Sequence, residues 1–351
     1  MTSTGPIRVL VVDDSAFNRR VIADCLSASP EIEVVGKASD GEQALRLVAS
    51  LEPDAVTLDL EMPKIDGFTF LRILMSRTPL PVVVVSSYSQ KENVFRALEL
   101  GALDFVAKPD RLRDATSNLM CRELVSRLLL ARNLRSPLPL RPRAPFPEAP
   151  ERRPARDWFP PRRVVAIASS TGGPSALMEL FTRLPTDTSD AFVIAQHMPD
   201  KFTRTFAERL NKHSGVRVTE AADGDRLGRG MALLCPGRHC MELRGESADT
   251  LFVRVSPPAP TDRYVPSGDR LITSVANVMG ARTLGIILTG MGDDGTSGAR
   301  AVLQAGGSVI AESETTAVVN GMPGAAVRAG VASHVLPLGG IADFLAAEVG
   351  S

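Results

Sequence analysis

Residues 163–174 constrain the fold of this chain more than any other stretch. They read RVVAIASSTGGP, a run of β-branched and apolar residues followed by hydroxyl residues, two glycines and a proline. The pattern predicts a strand that ends in a tight turn and restarts as a helix, because Pro174 suits a first helical turn and Gly172 and Gly173 allow close backbone approach. In open α/β sheets, ligands bind at this edge.

A hydroxyl at this turn lies beside the free N–H groups of a helix N-terminus, which can stabilise an oxyanion. Ser170 is therefore the candidate nucleophile. The alternative is that Ser169, Ser170 and Thr171 only cap the helix, as most hydroxyl residues at such turns do. The sequence on either side has to decide between the two interpretations.

Composition excludes several classes of protein. The 351 residues suffice for two domains, and 40 basic residues balance 40 acidic ones, so no overall charge attracts nucleic acid. The chain has neither a signal-peptide layout nor an apolar run long enough to span a membrane, which predicts a cytoplasmic protein without membrane insertion. Its four cysteines form no C-x-x-C pair, so we expect neither a zinc site nor a disulfide framework.

Residues 1–130 alternate apolar strand patterns with helical patterns, which predicts a parallel α/β sheet covered on both faces. Helices are predicted at Ala16–Leu26, Glu42–Ala49 and Lys91–Leu100. The predicted strands lie at Val9–Val12, Val34–Val35, Ala55–Leu60, Val82–Val85 and Phe105–Val106.

Polar residues lie at or just after the ends of four of these strands and should share one rim: Asp13, Asp14, Asp59, Ser86 and Lys108. Three converging carboxylates would repel one another unless a divalent cation lies among them, and oxygen ligands with solvent access suit Mg²⁺. Such a site can hold a phosphoryl group on one carboxylate, with the metal and the ammonium neutralising its oxygens. Taken singly, each residue has an ordinary explanation as a helix cap, a turn residue or a surface charge.

The segments LVVDDSAFNRR, TLDLEMPKIDG, VVVVSS and DFVAKP resemble the receiver domain of two-component response regulators. The resemblance implies a flavodoxin-like, five-stranded parallel sheet with Asp59 as phosphoacceptor. It also implies that Asp13, Asp14 and the carbonyl of Glu61 contact the metal beside Asp59. Ser86 and Phe105 match the switch residues, Lys108 matches the phosphoryl-binding lysine, and the bond from Lys108 to Pro109 would be cis.

Residues 131–162 are rich in proline and arginine and predict a semi-rigid linker without a core. Their positive charge could also belong to a nucleic-acid arm, an interpretation that the sparse aromatic residues disfavour. Trp158 and Phe159 at its end are candidates for packing on a domain surface.

Residues 163–351 predict a second, doubly wound, mainly parallel α/β domain. The region 216–258 differs, because VRVTEA, MALLCPG, HCMELRG and LFVRVSPP alternate apolar and polar residues between turn signals. These four segments are expected to form an antiparallel insertion.

Two further strands of this domain end in polar residues. His197 follows the strand pattern in AFVIAQHMP, and Asp293 and Asp294 follow the one in TLGIILTGMGDDG. With Ser170 they supply the hydroxyl, imidazole and carboxylate of nucleophilic acyl transfer. The alternatives are a satisfied buried histidine and a helix N-cap, and of the other histidines only His239 is placed to reach the cleft.

The segments IASSTGGPSAL, VIAQHMPDKFTRTFAERLN, CPGRHCMEL, ILTGMGDDGTSGA and AVVNGMPGAAVRAG, in this order behind a receiver, resemble the chemotaxis protein-glutamate methylesterase family (CheB type). The resemblance implies Ser170 as nucleophile, His197 as base and Asp294 as orienting acid. Thr171 and the backbone near Gly172 and Met291 would line the active site and the oxyanion hole. The chain departs from the family at Asp293, a position often held by asparagine, and at PSGD, where members usually have PSVD.

By this resemblance the chain is a phosphorylation-activated hydrolase that removes methyl esters from γ-glutamyl side chains of methyl-accepting chemotaxis receptors and also deamidates receptor glutamines. A histidine kinase would phosphorylate it, and the hydrolase site would need no cofactor. The competing hypothesis is a response regulator whose second domain binds DNA or is catalytically silent. The α/β pattern after residue 163 disfavours DNA binding, because no short basic helix-turn-helix is present.

Overall fold

The computed structural model describes residues 5–87, 91–108, 115–134, 146, 158–245 and 250–347. Two compact units make up the chain, Met1–Pro145 and Phe146–Ser351. Within the described ranges, no helix is long and apolar enough to cross a membrane.

The first unit is a five-stranded sheet in the order β2-β1-β3-β4-β5, with every neighbouring pair parallel. The strands are β1 (Ile7–Val12), β2 (Ile32–Ala38), β3 (Ala55–Leu58), β4 (Val82–Ser87) and β5 (Asp104–Lys108). Their helices are α1 (Ala16–Ser27), α2 (Gly41–Leu51), α3 (Gly67–Arg77), α4 (Lys91–Glu99) and α5 (Ala115–Leu129). The parallel receiver-type sheet expected from the sequence is confirmed.

Side-chain caps fix where three of these helices begin. Ser15, Asp40 and Asp66 accept hydrogen bonds from the backbone N–H groups of the first turns of α1, α2 and α3. Each cap satisfies a donor that the helix leaves unpaired. Asp13 and Asp14 are not among these caps, so their carboxylates remain at the rim of the sheet.

The expectation that the cysteines form no disulfide is wrong for one pair. Cys25 on α1 is bonded to Cys121 on α5, with Cα atoms 5.6 Å apart. The two residues are 96 positions apart in sequence, and only the side-by-side packing of α1 and α5 brings them together. Cys235 and Cys240 remain free and buried in the second unit.

The second unit is built on a seven-stranded parallel sheet in the order β14-β13-β12-β6-β7-β9-β8. Its strands are β6 (Val164–Ser169), β7 (Ala191–Gln196), β8 (Arg217–Glu220), β9 (Met231–Leu234), β12 (Thr283–Ile287), β13 (Ser308–Glu312) and β14 (His334–Leu336). The helices are α6 (Gly173–Phe181), α7 (Asp200–His213), α8 (Gly268–Met279), α9 (Thr296–Gln304), α10 (Met322–Arg328) and α11 (Leu338–Ala347). The central strands β6, β7 and β12 are buried on both faces, which is why they read as continuous apolar runs.

The expected antiparallel insertion is only partly correct. β10 (Cys240–Arg244) and β11 (Phe252–Ser256) form an antiparallel pair. VRVTEA and MALLCPG, in contrast, supply β8 and β9, which extend the main sheet in parallel. Along the edge strand β8, Val218 is buried between exposed Arg217 and Thr219. Alternation therefore indicated a half-buried strand, but it carries no information on strand direction.

Trp158 and Phe159, at the end of the predicted linker, pack on other residues of the second unit, as the sequence suggested. The Arg226 guanidinium carbon lies 4.2 Å from the centroid of the Trp158 ring, and the Arg229 backbone N–H donates to the Phe159 carbonyl at 3.1 Å. Gly228 leaves room for the indole, because a Cβ there would lie 2.7 Å from Trp158 Nε1. Most of the predicted linker and the bond from Lys108 to Pro109 lie outside the described residues.

Candidate active site and acidic cluster

Three adjacent strands of the larger sheet deliver the candidate catalytic residues to one edge. Ser170 directly follows β6, His197 directly follows β7, and Asp294 lies on the loop after β12. β6 pairs with β12 on one side and with β7 on the other, all in parallel. Because the carboxyl ends of parallel strands share an edge, the chain brings together residues that are far apart in sequence.

The turn that carries Ser170 is closed by backbone hydrogen bonds. The N-cap of α6 is Gly172, at φ +79°, a left-handed conformation that suits glycine. The interpretation of Ser169, Ser170 or Thr171 as the N-cap is therefore wrong. The Ser170 N–H donates to the Thr289 carbonyl at 3.0 Å, whereas the Gly172 N–H makes no hydrogen bond with any described residue.

Asp294 is fully buried and holds four hydrogen bonds. Its Oδ2 accepts from the Gly268 N–H at 2.7 Å and lies 2.8 Å from His197 Nε2. Its Oδ1 accepts from the N–H groups of Asp269 at 2.9 Å and Gly295 at 3.1 Å. Two of these donors belong to the first turn of α8, where unpaired N–H groups and the helix dipole stabilise an anion.

The glycine in PSGD explains how α8 comes so close to this carboxylate. A Cβ at Gly268 would lie 2.6 Å from the Ala168 Cβ and 3.1 Å from Asp294 Oδ2. The departure from the family pattern therefore occurs at a point of close contact between α8 and β6.

Asp293 has different partners from its neighbour and is no N-cap. Its Oδ1 accepts from the Tyr264 hydroxyl at 2.8 Å, and Arg263 Nη1 lies 3.2 and 3.3 Å from its two oxygens. Its side chain is 52% exposed, against 0% for Asp294. The structure thus pairs His197 with Asp294 and leaves Asp293 outside that pair.

Two residues of the site have no signal in the sequence. The Tyr264 ring stacks on the His197 imidazole, with centroids 5.3 Å apart and planes inclined by 10°. Burial raises the pKa of Tyr264, and the hydrogen bond to Asp293 raises that pKa further, so the hydroxyl stays a donor. The stack joins segments that are far apart in the chain, which no local pattern reveals.

The second residue is Gln196, the last residue of β7, which is 1% exposed. Its Oε1 accepts from the Ser169 hydroxyl at 2.6 Å. Its Nε2 donates to the carbonyls of Ser170 at 3.0 Å and His197 at 2.9 Å. One buried amide therefore fixes the Ser170 turn relative to the backbone of His197.

The contact between nucleophile and base is not closed in this structure. Among the described residues, no hydrogen bond joins Ser170 Oγ to His197, whose Nε2 faces Asp294. Such contacts are often long in ligand-free enzymes. Of the predicted lining residues, Thr171 is buried and Met291 is 45% exposed at the rim.

A cavity lies beside this site. It has a volume of about 550 Å³ and is lined by Asp293, Asp294 and Tyr264 together with polar residues of α8, but not by Ser170 or His197. His239 Nδ1 pairs with the Gly237 carbonyl at 3.1 Å, and among the described residues no hydrogen bond joins His239 to Ser170, His197 or Asp294.

The polar strand ends of the first unit form an acidic cluster. Carboxylate oxygens of Asp13, Asp14 and Asp59 lie within 4.8 Å of one another. Lys108 Nζ lies 2.8 Å from Asp13 Oδ2 and 2.6 Å from Asp59 Oδ2. Asp13 Oδ2 is buried and, despite the short distance to Lys108, accepts no hydrogen bond of acceptable geometry. A buried carboxylate oxygen that accepts no hydrogen bond is available to coordinate a divalent cation.

Burial and charge act in opposite directions within the cluster. Burial raises the pKa of Asp13, against the attraction of Lys108. Burial alone would lower the pKa of Lys108, but the attraction of Asp59 and Asp13 outweighs it and raises that pKa. Lys108 therefore stays charged between the two buried carboxylates.

The remaining residues of this rim lie as the strand pattern requires. Ser86 is buried at the end of β4, and Glu61 is exposed on the loop after β3. Phe105 is 3% exposed and packs edge-on against Phe95 of α4, with ring centroids 6.4 Å apart.

Two family profiles, several relatives and a solved structure match this chain. The CheB methylesterase family profile matches residues 165–345, and the response regulator receiver profile matches residues 9–118. Protein-glutamate methylesterase/protein-glutamine glutaminase 1 of Myxococcus xanthus is 46% identical over 99% of this chain and 98% of its own. The enzyme numbered 3 of Geobacter sulfurreducens is 46% identical over 95% and 94%. The crystal structure of the Thermotoga maritima CheB methylesterase catalytic domain matches 53% of this chain and 98% of its own at 36% identity and a TM-score of 0.51.

Proposed function

Because this chain belongs to the CheB methylesterase family, we propose that it is a protein-glutamate methylesterase and protein-glutamine glutaminase whose hydrolase activity is controlled by its receiver domain. The observation that carries the proposal is the pairing of His197 with the buried Asp294 at the sheet edge that also holds Ser170. We assign residues 1–130 to the receiver, 131–162 to the linker and 163–351 to the hydrolase.

Ser170 Oγ attacks the carbonyl carbon of a γ-glutamyl methyl ester, and His197 accepts the hydroxyl proton. Since Nε2 faces Asp294, Nδ1 is the ring nitrogen that takes part. The tetrahedral intermediate collapses, the C–O bond to the methoxy group breaks, and His197 protonates the leaving group to methanol. Water then hydrolyses the acyl-enzyme by the reverse sequence of proton transfers. A glutamine amide follows the same route and releases ammonia.

Asp294 holds the imidazole in the required tautomer and stabilises the imidazolium. The Gly172 N–H, with the backbone near Met291, is the candidate donor to the oxyanion, and Thr171 lines the site. The Ser170 N–H is excluded from this role in the ground state because it already donates to Thr289. The hydrolase site requires no cofactor in this mechanism.

In the receiver, Asp59 accepts the phosphoryl group from a histidine kinase. Asp13, Asp14, Asp59 and the carbonyl of Glu61 would hold Mg²⁺, which when bound neutralises charge around the phosphoryl oxygens. Lys108 contacts the phosphoryl group, while Ser86 and Phe105 change conformation with it.

The substrates are methyl-accepting chemotaxis receptors, approached from the cytoplasm without insertion into the membrane and without nucleic acid. The competing hypothesis, a DNA-binding or catalytically silent output domain, would require specific retention of DNA or the absence of methanol release.

The test is methanol release from methylated receptors by full-length protein. Ser170→Ala should lower the rate by at least about 10³-fold. Ser308→Ala, on an exposed residue at the start of β13, is the matched control and should keep the wild-type rate. Retention of most of the activity in Ser170→Ala would refute the assignment of the nucleophile.

The regulatory part has its own test. A small-molecule phosphodonor with Mg²⁺ should raise the wild-type rate and leave the Asp59→Asn rate unchanged. An equal response of both proteins would refute control through Asp59 without affecting the catalytic assignment.

A further inference from the structure

The base and the acid of the site are both held by one short segment, residues 264–269. Tyr264 stacks on His197, and three residues later Ser267 caps α8, whose Gly268 and Asp269 N–H groups bind the Asp294 carboxylate. The two members of the pair thus share a support that lies outside the strands that carry them.

Tyr264 is held in place by contacts of its hydroxyl and its ring. Its hydroxyl donates to Asp293, the Arg263 guanidinium carbon lies 5.2 Å from the centroid of its ring, and Arg263 also contacts Asp293. Gly292, at φ +88°, lets the loop after β12 close around the hydroxyl, because a Cβ there would lie 2.3 Å from Tyr264 Oη. These contacts anchor the ring beside His197.

We propose that Tyr264 is a positioning residue for the hydrolase: its ring fixes the plane of the His197 imidazole so that the base moves to Ser170 without losing Asp294. The inference rests on the proposed function. A parallel stack with planes 10° apart lets the imidazole slide within its own plane and resists tilting out of it. The two side chains must approach each other before the proton is transferred, because among the described residues no hydrogen bond joins Ser170 to His197.

The ring makes the stack on His197, and the hydroxyl contributes only by anchoring the ring. An aromatic face against the imidazole also favours the imidazolium that forms when Ser170 loses its proton. Phenylalanine at position 264 keeps the ring, whereas leucine keeps an apolar side chain and removes the stack.

The experiment compares Tyr264→Leu and Tyr264→Phe in the full-length protein, with methanol release from methylated receptors as the assay. Tyr264→Leu should lower kcat about tenfold and leave KM within about twofold, because the stack acts on the base. Tyr264→Phe should keep kcat within about threefold of wild type. Thr261→Ala, an exposed residue of the same loop, controls for general effects there.

A fluorophosphonate that reacts with the activated serine gives a second readout, independent of receptor binding. Its rate of inactivation should fall about tenfold in Tyr264→Leu and remain near wild type in Tyr264→Phe. Equal losses in both variants, or a loss confined to KM, would overturn the positioning role. Unchanged rates in Tyr264→Leu, with Ser170→Ala inactive, would refute this inference alone, whereas an active Ser170→Ala would refute the proposed function.

Discussion

Replacing Asp294 by asparagine is the sharpest test of how the site is held. Each carboxylate oxygen serves two donors: Oδ2 faces Gly268 N–H and His197 Nε2, and Oδ1 faces the N–H groups of Asp269 and Gly295. Asparagine has one oxygen and one NH₂ group, so one of these pairs must face a donor.

The two orientations of the amide lower the free energy of unfolding by different amounts. With NH₂ towards Asp269 and Gly295, two buried N–H groups lose their acceptor, at about 1–3 kcal/mol each. With NH₂ towards His197, only the Gly268 N–H is left unpaired, because the imidazole can change tautomer and accept from the amide. We expect this second orientation, with a loss of unfolding free energy of about 1–3 kcal/mol.

With the amide of the Asp294→Asn variant in this orientation, His197 can no longer act as the general base. The imidazole then accepts a hydrogen bond at Nε2 and carries its proton on Nδ1, the nitrogen that should receive the Ser170 proton. We therefore expect kcat to fall about 10³–10⁴-fold, the scale of a wrong-tautomer defect in a catalytic triad.

Methanol release measures kcat, and the fluorescence of Trp158 in urea measures stability. Trp158 is the only tryptophan of the chain, and it packs on the second unit beside Arg226. Asp293→Asn is the matched control: with a side chain that is 52% exposed, it should cost less than about 1 kcal/mol. A kcat for Asp294→Asn within tenfold of wild type, or a larger stability loss in Asp293→Asn, would refute the reasoning.

Three further predictions concern the same unit and use urea unfolding as the assay. Gly268→Val should lower stability by about 1–3 kcal/mol, because a side chain there collides with β6; an unchanged midpoint would contradict the close contact. Gln196→Leu should cost about 3 kcal/mol and lower kcat, because it leaves the Ser169 hydroxyl and two carbonyls without their amide partner; a loss of kcat alone would show that the amide acts in chemistry and not in support. Arg270→Met removes ion pairs to Glu242 at 2.9 Å and Asp262 at 3.0 Å and should cost about 2 kcal/mol at pH 7. Burial alone would raise the pKa of Glu242, but Arg270 holds it below its usual range, so this stabilisation is present above the ordinary pKa and is lost as the pH falls through the lowered one. The difference between Arg270→Met and wild type should therefore shrink below about pH 4, and a constant difference would contradict the ion-pair account.

The sequence predicted the part of the fold that depends on local pattern. Buried strands that end in polar residues placed Ser170, His197 and Asp294 at one sheet edge, and the structure brings them there. The choice between Asp293 and Asp294 came from the resemblance, and the hydrogen bond from His197 agrees with it. The catalytic roles themselves stay a prediction.

What the sequence did not reveal depends on contacts between distant segments. The direction of β8 and β9, the bond between Cys25 and Cys121, and the packing of Tyr264 on His197 all arise from tertiary packing. None of them has a spacing or periodicity that marks it in one dimension.

The order of strands in the larger sheet also bears on how such enzymes can diverge. Between His197 and α8 the chain adds β8 and β9 to the sheet on the side of β7 that faces away from β6 and β12, and it adds the β10–β11 hairpin as well. Leu243 and Val253 of the β10–β11 pair pack in the same core as β6 and β7, whereas β8 is the edge strand and has no neighbour among the three strands that carry the chemistry. Insertions and deletions beside β8 can therefore accumulate without shifting those three strands. Relatives should therefore differ most in length and surface there, so that new docking preferences can evolve while the reaction centre is inherited intact.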